Sequence, residues 1–377
     1  MSTSTGASSG EAQAAVSTYS DTVRELRSPR RVTHTPLAAL APLRGALLAS
    51  GVMLPLSLGV ALGHAQYGVF AALGALPSGF AAMFGEGRKR PAAVALASVG
   101  MAVGAFVGAL AAGSPLLLVL LAAIFAYAAG IVGAFSDRVA VAALQWPGAL
   151  LIATATADGP REAAVRGVLV LAGGLGQAAL VAVAIAIRGE SVHSADGGSS
   201  PRSRRSPRAF AGHLVGTVRA HLGLSTEQGQ HALRLAGTAA VAESAALLIG
   251  LPHPYWATLT AVLVLKTDHV LTVRRSLDRI GGTAVGVLLG LPLAALAHFG
   301  TAPLLLGAAL AVALGYAVFA ANYFLFSVFL TGFVVVLLDL LGETAGHTVG
   351  PRLLATLLGG VIALVASHVR PARSPQG

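Results

Sequence analysis

Apolar residues run along this chain in long blocks, and polar residues cluster in short breaks between them. No Asp, Glu, Lys or Arg occurs from Gly45 to Gly85, from Pro91 to Ser136 or from Ile280 to Leu338. One helix crosses the hydrocarbon core of a bilayer with about 20 apolar residues, so each block predicts at least two spans. Breaks at Gly63-His64, 85–90, Gly113-Ser114, 136–138 and 158–166 divide the first part into segments at 45–63, 66–84, 91–112, 115–135, 139–157 and 167–187. A second set falls at 232–250, 254–269, 280–298, 303–321, 323–341 and 350–369. The segment from Pro254 is the shortest, and a re-entrant loop is the alternative to a full crossing there. The expected fold is an all-α polytopic membrane protein of about twelve transmembrane helices.

Composition agrees with the pattern. Of 377 residues, 55% are hydrophobic and 11% charged, with a mean hydropathy of +0.77; an average soluble domain carries about 25% charged residues. The predicted organisation is a disordered cytoplasmic N-terminal tail over 1–43, a first six-helix membrane half over 44–188, and a basic cytoplasmic linker over 189–230. A second six-helix half over 231–370 and a short C-terminal tail over 371–377 complete it. The linker contains Arg202, Arg204, Arg205 and Arg208 among serines and prolines, a composition that cannot bury a core.

The net charge of +10 matters less than where the charges sit. With both termini inside, 22 of the 25 basic residues fall on the cytoplasmic side, leaving Arg161, Arg166 and Arg352 outside. That asymmetry sets orientation in membranes and predicts a multi-pass protein of the plasma membrane. Nucleic acid is not an expected partner, because the basic residues lie between apolar runs. The absence of cysteine excludes disulfides, thiolate metal sites and Cys nucleophiles, and the eleven scattered His show no ligand spacing. No cofactor and no metal are expected.

The two halves match at an offset of 186 residues. Arg88-Lys89 falls on Arg274-Arg275, Gly100 and Gly104 on Gly286 and Gly290, Arg166 on Arg352, and Gly173-Gly174 on Gly359-Gly360. Ahead of these the register slips by about three, setting Tyr67 opposite Trp256. Each half has an even number of spans, which predicts two parallel six-helix repeats with a pathway between them. Gly100, Gly104 and Gly108, and likewise Gly282, Gly286 and Gly290, recur every four residues and mark close helix packing. Gly173-Gly174-Leu175-Gly176 lacks the strand–loop–helix setting of a nucleotide loop.

Ionisable groups within spans are costly and are candidates for function. Glu243 lies mid-span and Asp339 near the outer end of its span. Both are candidates for proton coupling, against a purely structural pairing for Glu243 and interfacial solvation for Asp339. Gln145-Trp146-Pro147 interrupts the fifth span; Gln145 and Trp146 either line a cavity or only flank a kink. Tyr255 and Trp256 open a span, as substrate contacts or as interface anchors. Lys266, Arg274, Arg275 and Arg279 gather at the mouth of the next span, as an anion site or as topology signals.

Tyr255-Trp256, the basic stretch from Lys266 to Arg275, and Arg279-Ile280-Gly281-Gly282-Thr283 together resemble the fusaric acid resistance family of bacterial aromatic acid exporters. The resemblance extends to two six-span halves around a central cytoplasmic insertion. It implies export of small, often aromatic, organic acids. No Walker-type phosphate loop is present, so the expected energy source is the proton gradient. The expected partners are membrane lipid, the organic-acid substrate and protons, and the oligomeric state, homo-oligomer included, stays open. A passive anion channel is the alternative, a linker-based scaffold the third reading, and an enzyme is not expected.

Overall fold

The computed structural model describes residues 40–83, 89–154, 159–187, 226–343 and 345–369. Most of the N-terminal tail, most of the basic linker and the C-terminal tail lie outside the described residues. All regular structure among the described residues is helical. In chain order the helices are α1 (Pro42–Ala61), α2 (Ala65–Ala81), α3 (Lys89–Ala111), α4 (Pro115–Gly133), α5 (Asp137–Ala143), α6 (Trp146–Ile152) and α7 (Pro160–Ile187). Then come α8 (Glu227–Leu248), α9 (Tyr255–Val264), α10 (His269–Ala295), α11 (Thr301–Val318), α12 (Tyr323–Leu340) and α13 (Ala345–His368). A 3-10 turn, Leu296–Phe299, follows α10.

Eight of these, α1, α3, α4, α7, α10, α11, α12 and α13, are long and apolar enough to cross a membrane. The other four expected segments differ for identifiable reasons. The 17 residues of α2 are few for a crossing, and α8 carries Glu227, Arg234 and Glu243. The fifth segment breaks into α5 and α6, with Pro147 beginning the second piece, where a ring without an N–H is tolerated. Ten residues of α9 reach only about 15 Å, half the thickness of a hydrocarbon core. Pro55, Pro77 and Pro292, by contrast, sit inside continuous helices.

Local sequence starts and stops the helices. Side chains of Ser114, Ser136, Thr226, Asp268 and Asn322 accept backbone N–H groups at the starts of α4, α5, α8, α10 and α12. Helices α1 and α8 end alike. Gly63 and Gly250 take φ of +73° and +68°, and the next N–H bonds back to the carbonyl five residues earlier, His64 to Gly59 and Leu251 to Ala246. That glycine-terminated closure satisfies the last carbonyls of a helix.

Packing relies on small residues. The glycines of α3 face α6, where a methyl on Gly108 would strike the Leu150 backbone; those of α10 face α12, where one on Gly286 would meet the Val328 carbonyl at 2.5 Å. Helix α3 packs mainly on α7, and α10 on α12 and α13. Across the halves, α4 lies on α8 and α11 on α1. One core joins α1, α2, α11 and α12, where the Tyr316 hydroxyl donates to the Leu76 carbonyl at 2.7 Å. Large apolar side chains such as Leu54, Leu116, Leu288 and Leu306 point outward. Small Ala and Gly fill much of the interior, and large apolar side chains cover the outside, a surface suited to lipid.

Candidate functional site

A cavity of about 200 Å³ opens where α2, α3, α5, α6, α7, α9, α10, α12 and α13 converge. Four cationic side chains line it, Lys266, Arg275, Arg279 and Arg352, and no acidic residue does among the described residues. Aromatic rings cover much of the rest: Phe70, Phe80, Trp256, Phe319, Tyr323 and Phe326.

Each cation is placed by its element. Arg275 and Arg279 are four apart on α10 and so share a face. The chain before α10 folds over its first turn: the Thr272 hydroxyl accepts the Lys266 N–H at 3.0 Å and donates to the Asp268 carbonyl at 2.8 Å. This holds Lys266 beside Arg275. Burial first, and the Arg275 charge second, pull the Lys266 ammonium down to about 8. On α10 the Arg275 guanidinium lies over the Tyr323 ring at 4.3 Å, and on α13 that of Arg352 lies over Trp256 at 3.9 Å.

Arg279 and Arg352 are the unusual pair. They are 4% and 3% exposed, their charges repel one another, and Nε and Nη1 of each lack a hydrogen-bond partner. A buried unsatisfied donor costs about 1–3 kcal/mol, and more when charged. Two such groups line one cavity that has no acidic residue among the described residues. A guanidinium fork matches a carboxylate edge-on, and aromatic walls match an apolar ring.

Arg166 offers the contrast. It too is buried and lies over an aromatic ring, that of Phe70 at 4.8 Å. Its Nη1, however, donates to the Ala153 carbonyl at 2.7 Å and its Nε to Glu162 at 3.4 Å. Both members of the Arg166–Phe70 pair stand 186 residues before those of the Arg352–Trp256 pair. Phe70, not Tyr67, therefore occupies the place matching Trp256, and Tyr67 lies against His64 instead. Arg166 and Arg352 are helix-interior groups rather than the loop charges expected, because α7 and α13 begin several residues earlier than the apolar pattern indicates.

Of the residues singled out by sequence, Gln145, Trp256, Lys266, Arg275 and Arg279 meet on the cavity wall. The rest lie elsewhere. Trp146 packs its indole on Gly100. Arg274 is half exposed, 3.9 Å from Asp278. The Tyr255 hydroxyl is 3.4 Å from His253 Nδ1, whose Nε2 is 2.9 Å from the Glu343 carboxylate. Glu243 is 2% exposed and accepts a hydrogen bond of 2.6 Å from the Thr258 hydroxyl, behind the wall rather than on it. Asp339 is half-buried in the last turn of α12. Sequence reasoning missed Arg352 and the rings of Phe70, Phe80, Phe319, Tyr323 and Phe326; the Arg166–Arg352 coincidence was the available signal for the first.

Residues 238–366 match the family described as fusaric acid resistance protein-like. That match covers 129 of the 377 residues. The family region supplies all four cations of the cavity, while Phe70, Phe80 and Gln145 come from the half outside the match. The chain is also similar to an uncharacterized protein of Synechocystis sp., slr1298, at 34% identity over 140 residues. That similarity covers 36% of this chain and 18% of the relative. No solved structure matches it.

Proposed function

We propose that the protein is a secondary exporter of small aromatic acids, driven by the proton gradient across the plasma membrane. The observation that carries this reading is the pair of buried guanidinium groups of Arg279 and Arg352, each with Nε and Nη1 lacking a hydrogen-bond partner, on a cavity without acidic residues and walled by aromatic rings. The fusaric acid resistance-like region agrees with export of such compounds. Transport is favoured over catalysis, since no Ser, His, Asp or Glu lines the cavity among the described residues.

The pathway runs between two parallel six-helix repeats, with both termini and the basic linker cytoplasmic. The reciprocal packing of α4 on α8 and of α11 on α1 supports this arrangement, as do the Arg166–Phe70 and Arg352–Trp256 pairs. Glu243 is assigned to proton coupling, because it is the one acid fully buried among the described residues. Asp339, nearer the membrane surface, is the second choice. Everted vesicles supplied with labelled benzoate test the reading. An exporter concentrates benzoate against its gradient when the membrane is energised and loses this with Arg352→Gln. Equilibration without concentration would make the protein a channel, and no flux above protein-free vesicles would reject transport of this class. Glu243→Gln should abolish concentration while leaving exchange of benzoate between the two sides; normal export by this variant would return the coupling role to Asp339.

A further inference from the structure

The four cations of the cavity are more than one carboxylate can use. Arg279 on α10 and Arg352 on α13 line the same cavity, close enough for their charges to interact, and Nε and Nη1 of each lack a hydrogen-bond partner. Lys266 and Arg275 form a second pair toward the start of α10. Arg275 and Arg279 are one turn apart, about 6 Å along the helix axis. That rise is close to the separation of two carboxyl groups placed across a benzene ring. Aromatic rings already cover one face of Arg275 and of Arg352, so their N–H edges are what remain for an in-plane carboxylate.

Charge balance points the same way. A monoanion seated between Arg279 and Arg352 leaves the Lys266–Arg275 pair without a counter-ion. No acid on the described cavity wall supplies one, and an uncompensated charge in a confined, apolar site is expensive.

We propose that the cavity selects an aromatic dianion with its two anionic groups on opposite ends of the ring, one held by Arg279 and Arg352 and the other by Arg275 and Lys266. This rests on the transport reading and narrows it from aromatic acids to para-disposed aromatic dicarboxylates.

The test is calorimetric binding to the full chain in lipid nanodiscs, at neutral pH and fixed ionic strength. The ligands are benzoate, 1,2-benzenedicarboxylate and 1,4-benzenedicarboxylate. The 1,4-isomer should bind at least about tenfold more tightly than either of the others, since a charged hydrogen bond contributes about 1.5–3 kcal/mol. In Arg275→Gln, and separately in Lys266→Gln, its advantage over benzoate should fall below about threefold, roughly 0.6 kcal/mol. Because the readout is a ratio of two ligands on one preparation, partial loss of folded protein does not mimic it, and two variants guard against failure of one. Equal binding of benzoate and the 1,4-isomer overturns the proposal and leaves aromatic-acid transport intact. So does equal binding of the two dicarboxylates, or an advantage that survives in both variants. Binding of none of the three overturns the transport reading and this one together.

Discussion

Arg166 and Arg352 occupy matching places and have opposite surroundings, so removing each should have opposite consequences. Arg166→Gln abandons the Ala153 carbonyl and Glu162, and breaking such a partly buried pair should destabilise the protein by about 1–3 kcal/mol. Arg352→Gln deletes a charge whose Nε and Nη1 had no partner. It should leave thermal stability equal or higher while weakening benzoate binding by about tenfold or more. Thermal unfolding and calorimetry on the two variants separate these outcomes; matching losses of stability would mean Arg352 has a structural role. Lys266 adds a pH dependence. With its ammonium drawn down to about 8 by burial and by Arg275, it is charged below that pH and neutral above it. Binding of 1,4-benzenedicarboxylate should therefore weaken as pH rises from 7 to 9, and Lys266→Arg, which keeps its charge throughout, should flatten the profile.

At the scale of elements, helices touch through glycine and alanine faces, so added volume is harmful only where a backbone lies opposite. Gly173 and Gly176 share α7. A methyl at Gly173 would collide with the Ala71 carbonyl of α2, whereas nothing lies within 4 Å of one at Gly176. Gly173→Ala should cost about 1–3 kcal/mol, the usual range for overpacking, and Gly176→Ala about 0.5 kcal/mol or less in either direction. Thermal denaturation in detergent measures both. Equal effects would mean that α2 and α7 are not in close contact. The same logic explains the broken fifth span. Its two short pieces place Gln145 at the cavity and give the α3 glycines a partner in α6, which an unbroken helix through Pro147 could not do without losing a backbone hydrogen bond.

For the whole molecule, orientation is the testable property. A chain without cysteine allows single reporters at exposed turns, such as Gly113→Cys between α3 and α4 and Ala320→Cys between α11 and α12. With the termini inside, Gly113→Cys should react with an impermeant maleimide on intact cells and Ala320→Cys only after permeabilisation. The reverse pattern would turn the protein over and place the Lys266–Arg275 mouth on the outer face.

The sequence by itself determined the helical segments and their lipid-facing character. A backbone in hydrocarbon must bond within its own helix, so apolar length, caps and the Gln145-Trp146-Pro147 interruption are local properties. It also placed Trp256, Lys266, Arg275 and Arg279 near one another, since they lie within 24 positions on two consecutive helices and the turn between them. Even the pairing of Arg166 was partly legible, because Glu162 stands one turn before it while Thr348 holds that place before Arg352. Only the tertiary structure decided that α13 brings Arg352 to the cavity of Arg279 and that rings from α2, from α12 and from the turn between α11 and α12 close around them. It alone put Glu243, Tyr255 and Trp146 off the cavity wall. Burial and partnership are set by contacts between segments as far apart in sequence as Phe70 and Arg352, and no local pattern encodes which face of a helix will meet which neighbour.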